Sequence, residues 1–176
     1  MRQGQTEGKM YRTTLMQDII NLLIKLTLIV VVAAVIFTFL FGLYRYNDVN
    51  MNTALQEGDL LLYNRLDKDY VSGDVTLLEY DGNVQAQRVI ATSGDVVNIT
   101  EDGYVTVNGG RPEEKYVFTE TDAYVEGPAY PYTVPEGEIF VLSDNRPNAA
   151  DSRLYGSVKE ADTYGTVMSV IRRRNI

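Results

Sequence analysis

The side chains of this chain that could attack a bond or carry a proton are hydroxyls, lysines and carboxylates, because the sequence contains no Cys and no His. The lack of Cys excludes a thiol nucleophile, a disulfide framework and a Cys-ligated zinc site. The lack of His removes the commonest general base and the commonest metal ligand. Hydrolytic chemistry would therefore need a hydroxyl with a lysine, or paired carboxylates. We expect neither a metal nor an organic cofactor.

Three polar stretches concentrate the residues whose spacing indicates a shared site. They read NMNTALQEGD at residues 50–59, QRVIATSGD at 87–95 and SDNRPNAADSR at 143–153. The first two end in a Gly-Asp pair, in which glycine accepts a positive φ and the aspartate side chain caps the turn. A strand is therefore expected to start after each of these turns.

With these stretches the chain resembles the type I signal peptidases, which are membrane-anchored serine endopeptidases that remove signal peptides outside the cytoplasmic membrane. The family's first box runs Ser-Met-x-Pro-Thr-Leu, with Gly-Asp two residues later. Its second box runs Lys-Arg-Val-Ile before a Gly-Asp turn, and its third runs Gly-Asp-Asn-x-x-x-Ser-x-Asp-Ser-Arg. The order and spacing agree over about residues 20–176. The matching residues are Met51, Leu55, Gly58, Asp59, Arg88, Val89, Ile90, Gly94, Asp95, Asp144, Asn145, Asp151, Ser152 and Arg153.

The resemblance fails at the positions that carry the family's chemistry. The nucleophile position is Asn50, the general-base position is Gln87, and the serine that orients the family's lysine is replaced by Ala149. A Ser–Lys protease needs a hydroxyl to attack and an amine whose pKa is lowered by burial. A carboxamide attacks poorly and does not titrate, and losing one member of such a unit removes a factor on the order of 10³ or more in rate. We therefore expect no intact dyad and no working enzyme.

Other residue pairs are weaker replacements for that dyad. The lysines Lys68, Lys115 and Lys159 lie in polar, turn-like stretches, where an exposed ammonium keeps its proton. Asp144 and Asp151 could form an acid-protease pair, but the resemblance implies structural roles for both. The residues for which it implies such roles are Gly58, Asp59, Arg88, Asp144, Asn145, Asp151, Ser152 and Arg153.

The resemblance also implies a peptide cleft, because the strand after the nucleophile lines an apolar cleft in active members of the family. The corresponding side chains here are those of Met51, Leu60, Leu61 and Leu62. Asn50 and Gln87 could then hydrogen-bond a bound peptide backbone without cutting it. The alternative, in which the two amides only fill a dead pocket, stays open.

The anchor that would hold such a site at a membrane is the apolar run at residues 26–43, which carries no charge. At about 1.5 Å per residue its 18 positions cover about 27 Å, close to the hydrocarbon thickness of a bilayer. Basic residues precede or open the run, so the positive-inside rule predicts a cytoplasmic segment at 1–18, a single transmembrane anchor at 19–44 and an extracytoplasmic domain at 45–176. The lipid bilayer is thus one expected partner.

The rest of the chain is predicted to be mainly β, folded over as a sheet or barrel-like sandwich. Apolar runs follow the Gly-Asp turns, and VVNITEDGYVTVNG predicts a hairpin that turns at Asp102–Gly103. Later strands are expected in GEIFVLSD and GTVMSVIRR, and a short helix in VKEADTYG. Residues 110–136, rich in Pro, Tyr, Glu and Gly, are expected to form a looser excursion from the sheet.

Three functional hypotheses follow. The first is a non-catalytic signal-peptidase-like protein that binds or chaperones exported proteins; by family analogy these would be pilin subunits or signal-peptide regions, in association with a sortase system. The second is an active signal peptidase that uses non-standard residues, and the third is a structural membrane-tethered module. Nucleic-acid binding is not expected, because residues 45–176 carry 22 acidic and 12 basic residues.

Overall fold

The computed structural model describes residues 3–172, with side chains described from residue 15 onward. The chain divides into two compact units, with the boundary between Leu40 and Phe41. Residues 1–2 of the expected segment 1–18 and residues 173–176 of the expected segment 45–176 lie outside the described residues.

The N-terminal unit is a single helix, α1 (Gln3–Leu40). Its stretch Leu15–Leu40 is the one helix among the described residues that is long and apolar enough to cross a membrane. At about 1.5 Å per residue, its 26 residues extend about 39 Å, which exceeds the hydrocarbon thickness of a typical bilayer. The expected N-terminal apolar helix is thus confirmed. The helix ends before residue 44 because the chain enters a strand at Phe41.

The second unit is mainly β, as predicted, and its strand pairs are antiparallel. Seven strands form one sheet in the order β1-β2-β10-β3-β4-β8-β9, and three form a smaller sheet in the order β6-β5-β7. The strands are β1 (Phe41–Arg45), β2 (Leu60–Asn64), β3 (Val75–Tyr80), β4 (Asn83–Ala91), β5 (Val96–Ile99), β6 (Val105–Val107), β7 (Tyr132–Thr133), β8 (Glu138–Leu142), β9 (Val158–Lys159) and β10 (Gly165–Ile171). Two short helices, α2 (Ser152–Tyr155) and the 3₁₀ turn Glu160–Asp162, lie between β8 and β10.

The Gly-Asp turns start β2, β3 and β5 by the same local device. Each glycine has a positive φ, and each aspartate accepts a hydrogen bond from the backbone N–H three residues earlier. The side chain thus stands in for a backbone acceptor and fixes the chain direction into the strand. The pairs are Gly58–Asp59, Gly73–Asp74 and Gly94–Asp95.

The local predictions met two different outcomes. The β5–β6 hairpin is confirmed, with Ile99 opposite Val105 around the turn that contains Gly103. The short helix expected in VKEADTYG is present only as the 3₁₀ turn Glu160–Asp162, because Val158 and Lys159 pair with β8. Strand pairing across the chain overrides local helix propensity at this point.

Three buried clusters form the interior of the β unit. The first packs the start of the unit against β2, β3 and β4, and it holds the residues nearest to the first motif box. Its buried members are Tyr46, Met51, Leu55, Leu61, Tyr63, Leu77 and Ala86.

Candidate functional site

The three motif boxes meet in space. The backbone N–H of Asn145 donates to the carbonyl of Asn50 at 2.8 Å, which joins the first box to the third. The guanidinium of Arg88 binds both carboxylate oxygens of Asp144, at 2.7 and 2.5 Å, which joins the second box to the third. A two-point contact of this kind fixes orientation as well as distance. The fold thus brings Asn50 and the strand that carries Gln87 to one region.

Asn50 is held in place by a carboxylate two residues earlier. Its Nδ2 donates to Asp48 Oδ2 at 2.7 Å, while Asp48 Oδ1 accepts the backbone N–H groups of Val49 at 2.6 Å and Asn50 at 3.3 Å. A side-chain oxygen that collects neighbouring N–H groups in this way orders a local turn. The amide at the nucleophile position is therefore oriented by hydrogen bonds.

Gln87 is fully buried and its amide is fully hydrogen-bonded. Its Nε2 donates to Ala150 O at 2.7 Å and to Gln85 Oε1 at 3.1 Å, and its Oε1 accepts from the Tyr155 hydroxyl at 3.1 Å. Burial, followed by the charge of Asp151, raises the pKa of Tyr155, so this hydroxyl stays protonated as a donor. Both polar atoms of the Gln87 side chain therefore have hydrogen-bond partners. The neutral carboxamide remains unable to act as a general base.

Ala149 lies beside this network and is buried. Its carbonyl accepts from the Tyr124 hydroxyl at 2.8 Å. The side chain of Ala149 is a methyl group, so it cannot form a hydrogen bond with Gln87. The next residue, Ala150, supplies only its backbone carbonyl to that side chain.

A groove of about 610 Å³ opens next to Asn50. We call it the amide groove, because four side-chain carboxamides line it, together with one carboxylate and one phenol. Gln85 belongs to the groove and also accepts from Gln87, so it connects the two positions that differ from the family's dyad. The lining residues are Tyr44, Asn47, Asp48, Asn50, Gly82, Asn83, Val84 and Gln85.

Within the described part of the chain, one edge of β4 lacks a strand partner along this groove, and residues 83–85 of that edge keep solvent exposure, whereas Ala86 and Gln87 are fully buried. Residues 83–88 pair with β3, whereas β8 joins the opposite edge only from Arg88 onward. Among the described residues, no strand pairs with that opposite edge at 83–87. The Tyr44 hydroxyl donates to Val84 O at 2.8 Å and occupies one of its backbone groups. An unpaired strand edge is a template onto which an extended peptide can add.

The expected apolar cleft residues divide between the core and the surface. Met51 and Leu61 are fully buried in the first cluster, and they cannot contact a bound peptide in this structure. Leu60 is exposed and Leu62 half-buried, because successive residues of a strand point to opposite faces. The groove beside Asn50 is therefore lined by polar side chains rather than by these leucines.

Asp151, Ser152 and Arg153, three of the residues with expected structural roles, are buried and hydrogen-bonded. Asp151 caps α2 and binds Arg153 Nε and Nη2, both at 2.8 Å. Ser152 Oγ accepts the backbone N–H of Val141 at 2.9 Å. Because Asp144 and Asp151 each bind an arginine, they do not form the shared-proton pair of an acid protease.

The lysines of the β unit do not pair with a serine. Lys68 Nζ donates to Ala161 O, Lys115 forms an ion pair with Glu113, and Lys159 is exposed. Within the part of the chain that the structure describes, no serine hydroxyl forms a hydrogen bond with a lysine.

Three residues of the site escaped the sequence analysis. Gln85 could have been found, since it lies two residues before Gln87 and such positions share one face of a strand. Tyr155 could not, because its contact with Gln87 spans 68 residues of sequence. Asp48 was not among the predicted site residues, although the structure places it in the groove.

Comparisons with known proteins find the family that the chain was expected to resemble. The family model described as "Signal peptidase, peptidase S26" matches residues 19–171. A signal peptidase I of Bacillus licheniformis is 33% identical over 135 residues, which cover 70% of this chain and 72% of that protein. A signal peptidase I of Bacillus caldolyticus is 30% identical over 154 residues, covering 78% of this chain and 83% of that protein. The crystal structure of a signal peptidase I from Enterococcus faecalis V583 is 30% identical, covers 58% of this chain and 99% of its own, and has a TM-score of 0.48.

Proposed function

This chain belongs to the signal peptidase S26 family, and we propose that it is a non-catalytic member that binds exported polypeptides at the membrane surface. Its single N-terminal apolar helix makes it a membrane-anchored, single-pass protein. In the proposal, residues 1–18 face the cytoplasm and the β unit lies outside, because basic residues flank the start of the apolar run.

The observation that carries the proposal is the pair of neutral amides at Asn50 and Gln87. Attack on a peptide carbonyl needs a nucleophile, and a base to take its proton. Asn50 has its nitrogen committed to Asp48, and Gln87 has both amide atoms committed to neighbours. Neither side chain gains or loses a proton at neutral pH. An active signal peptidase with substitute residues finds no support in the hydrogen bonds of the described serines and lysines.

The amide groove and the open edge of β4 supply the binding function. A peptide that adds beside residues 83–85 would gain main-chain hydrogen bonds, and the groove would contact alternate side chains. Carboxamides suit this role because each offers both donors and an acceptor to a peptide backbone. Leu60 and Leu62 lie on the outward side of β2 and are the remaining apolar candidates for contact.

The proposed partners are exported proteins, through a signal-peptide region or a surface subunit such as a pilin, with a sortase system as a further associate. This step rests on family analogy and not on a particular contact.

The experiment uses the intact chain in detergent and a fluorescent 20-residue peptide that spans an Ala-x-Ala signal-peptide junction. We expect saturable binding by anisotropy and an uncut peptide by mass spectrometry after overnight incubation. Asn50→Arg, which fills the groove, should weaken binding, whereas Asn98→Arg on β5 should not. A flat titration would refute the binding role, and cleavage that Asn50→Arg abolishes would refute the non-catalytic one.

A further inference from the structure

Asp48 is the one lining residue of the amide groove that carries a charge at neutral pH. The other ionisable member, Tyr44, stays protonated, because burial and then the charge of Asp48 raise its pKa. The remaining members are carboxamides, a glycine and a valine. The lining of the groove therefore carries one negative charge, and its other side chains are uncharged.

The contacts of Asp48 orient its carboxylate without neutralising it. Its three hydrogen-bond donors are the backbone N–H groups of Val49 and Asn50 and the carboxamide of Asn50, which are all uncharged. Among the described residues, no lysine or arginine forms an ion pair with Asp48. The other carboxylates of the site differ, since Asp144 and Asp151 each bind an arginine.

The amides around Asp48 extend its acceptor surface. Asn50, which also lines the groove, uses its Nδ2 on Asp48, and its Oδ1 accepts no hydrogen bond from the described residues. An ammonium group carries three donors and no acceptor, so a carboxylate with a neighbouring amide oxygen matches it. A charge-assisted hydrogen bond is also about twice as strong as a neutral one.

We propose that the amide groove selects an extended peptide that places a lysine or arginine side chain against Asp48 and Asn50. This inference rests on the proposed peptide-binding function and names the substrate class of that same groove. The small apolar residues of an Ala-x-Ala sequence would leave the carboxylate without a counter-charge. A glutamate at the same position would meet it with like charge, which is repulsive.

The test is a positional scan with the intact chain in detergent. The probes are fluorescent 12-residue peptides of alanine, serine and valine, each with one lysine at a successive position. Matched series carry glutamine or glutamate in place of the lysine. Binding is measured by anisotropy at low salt and in 0.5 M NaCl, a concentration that screens exposed charges over a few ångströms. Asp48→Asn removes the charge in the groove, and Asp102→Asn makes the same change at an exposed turn.

We expect one register in which lysine binds roughly tenfold more tightly than glutamine, which corresponds to about 1.4 kcal/mol. That preference should shrink in high salt, disappear in Asp48→Asn and persist in Asp102→Asn. Equal binding of the lysine, glutamine and glutamate series would overturn the charge selection and leave the binding function standing. A preference that survives Asp48→Asn would overturn it as well. Failure of every series to bind would overturn both proposals.

Discussion

Gln87 donates a 2.7 Å hydrogen bond from Nε2 to the backbone carbonyl of Ala150, so an amide on β4 joins the second motif box to the third. The Tyr155 hydroxyl closes the other side of the same amide. A lysine here would be a titrating group, whereas glutamine completes a neutral network that needs no counter-charge. Gln87 therefore acts as a structural residue at a position where the family resemblance implies a reactive lysine.

Removing the Tyr155 hydroxyl should destabilise the β unit. Tyr155→Phe keeps the ring, which packs 4.5 Å from the ring of Tyr80, but leaves the buried Gln87 Oε1 without its donor. An unsatisfied buried acceptor costs about 1–3 kcal/mol of unfolding free energy. Chemical denaturation of the intact chain in detergent measures the loss. The control is Tyr164→Phe, whose exposed bond to Glu79 should be worth far less; equal losses would contradict the network.

Replacing only one member of the Asp151–Arg153 ion pair should strongly lower the free energy of unfolding. Both residues are buried, so Arg153→Leu leaves the charge of Asp151 without its partner. Such a change typically costs about 3–5 kcal/mol. The matched variant is Lys115→Leu, which breaks the exposed pair with Glu113 and should change stability by about 1 kcal/mol or less. A mild effect of Arg153→Leu in urea unfolding would show that the pair is not structural.

Residues 110–136 should be sensitive to a side chain at Gly127. A Cβ there would lie 1.8 Å from the backbone oxygen of Arg153, whereas at Gly110 the nearest atom would lie at an ordinary 3.6 Å. Backbone cannot yield as a side chain does, so Gly127→Ala should destabilise by about 1–3 kcal/mol or more. Gly110→Ala should be neutral or slightly stabilising. Limited proteolysis should cut the segment faster in Gly127→Ala only, and similar rates in both variants would contradict this packing.

The free energy of unfolding should fall in acid, in part because the carboxylate of Asp95 becomes protonated. Hydrogen bonds, first from the backbone N–H of Thr92, lower the pKa of this carboxyl below its ordinary value. A depressed folded pKa contributes stability that is fully present above the unfolded pKa, near 3.8, and is lost as the pH falls through the folded value. Denaturation at pH 6 and at pH 2.5 should therefore show a smaller acid loss in Asp95→Asn than in the wild type. Asp102→Asn is the charge-matched control, and identical acid losses in Asp95→Asn and the wild type would refute the assignment.

The sequence predicted the parts of the fold that local chemistry determines. The Gly-Asp turns, the hairpin and the apolar helix each carry a short-range signal, and the structure contains them. The helix expected in VKEADTYG is reduced to a 3₁₀ turn, because Val158 and Lys159 pair with β8, which lies about 20 residues earlier. Burial of Leu61 depends on which face of β2 meets the core, and Met51 is buried from the turn that precedes β2; both follow from the folded arrangement and not from local sequence.

The site shows the same division between local and long-range information. The positions of Asn50, Gln87 and Ala149 came from motif spacing alone. The polar groove next to Asn50 required knowledge that residues 82–85 lie beside residues 47–50. That neighbourhood depends on pairing between distant segments, which no short motif encodes.

The most direct test of the account is a cleavage assay of the intact chain in detergent against a precursor with an Ala-x-Ala junction. We predict no turnover by the wild type, by Asn50→Ser or by Gln87→Lys, and measurable turnover at the junction by the double variant Asn50→Ser/Gln87→Lys. That turnover should rise with pH as the lysine loses its proton, and Ala149→Ser should increase it further. Turnover by the wild-type chain at that junction, abolished by the groove-filling variant Asn50→Arg, would contradict the central claim.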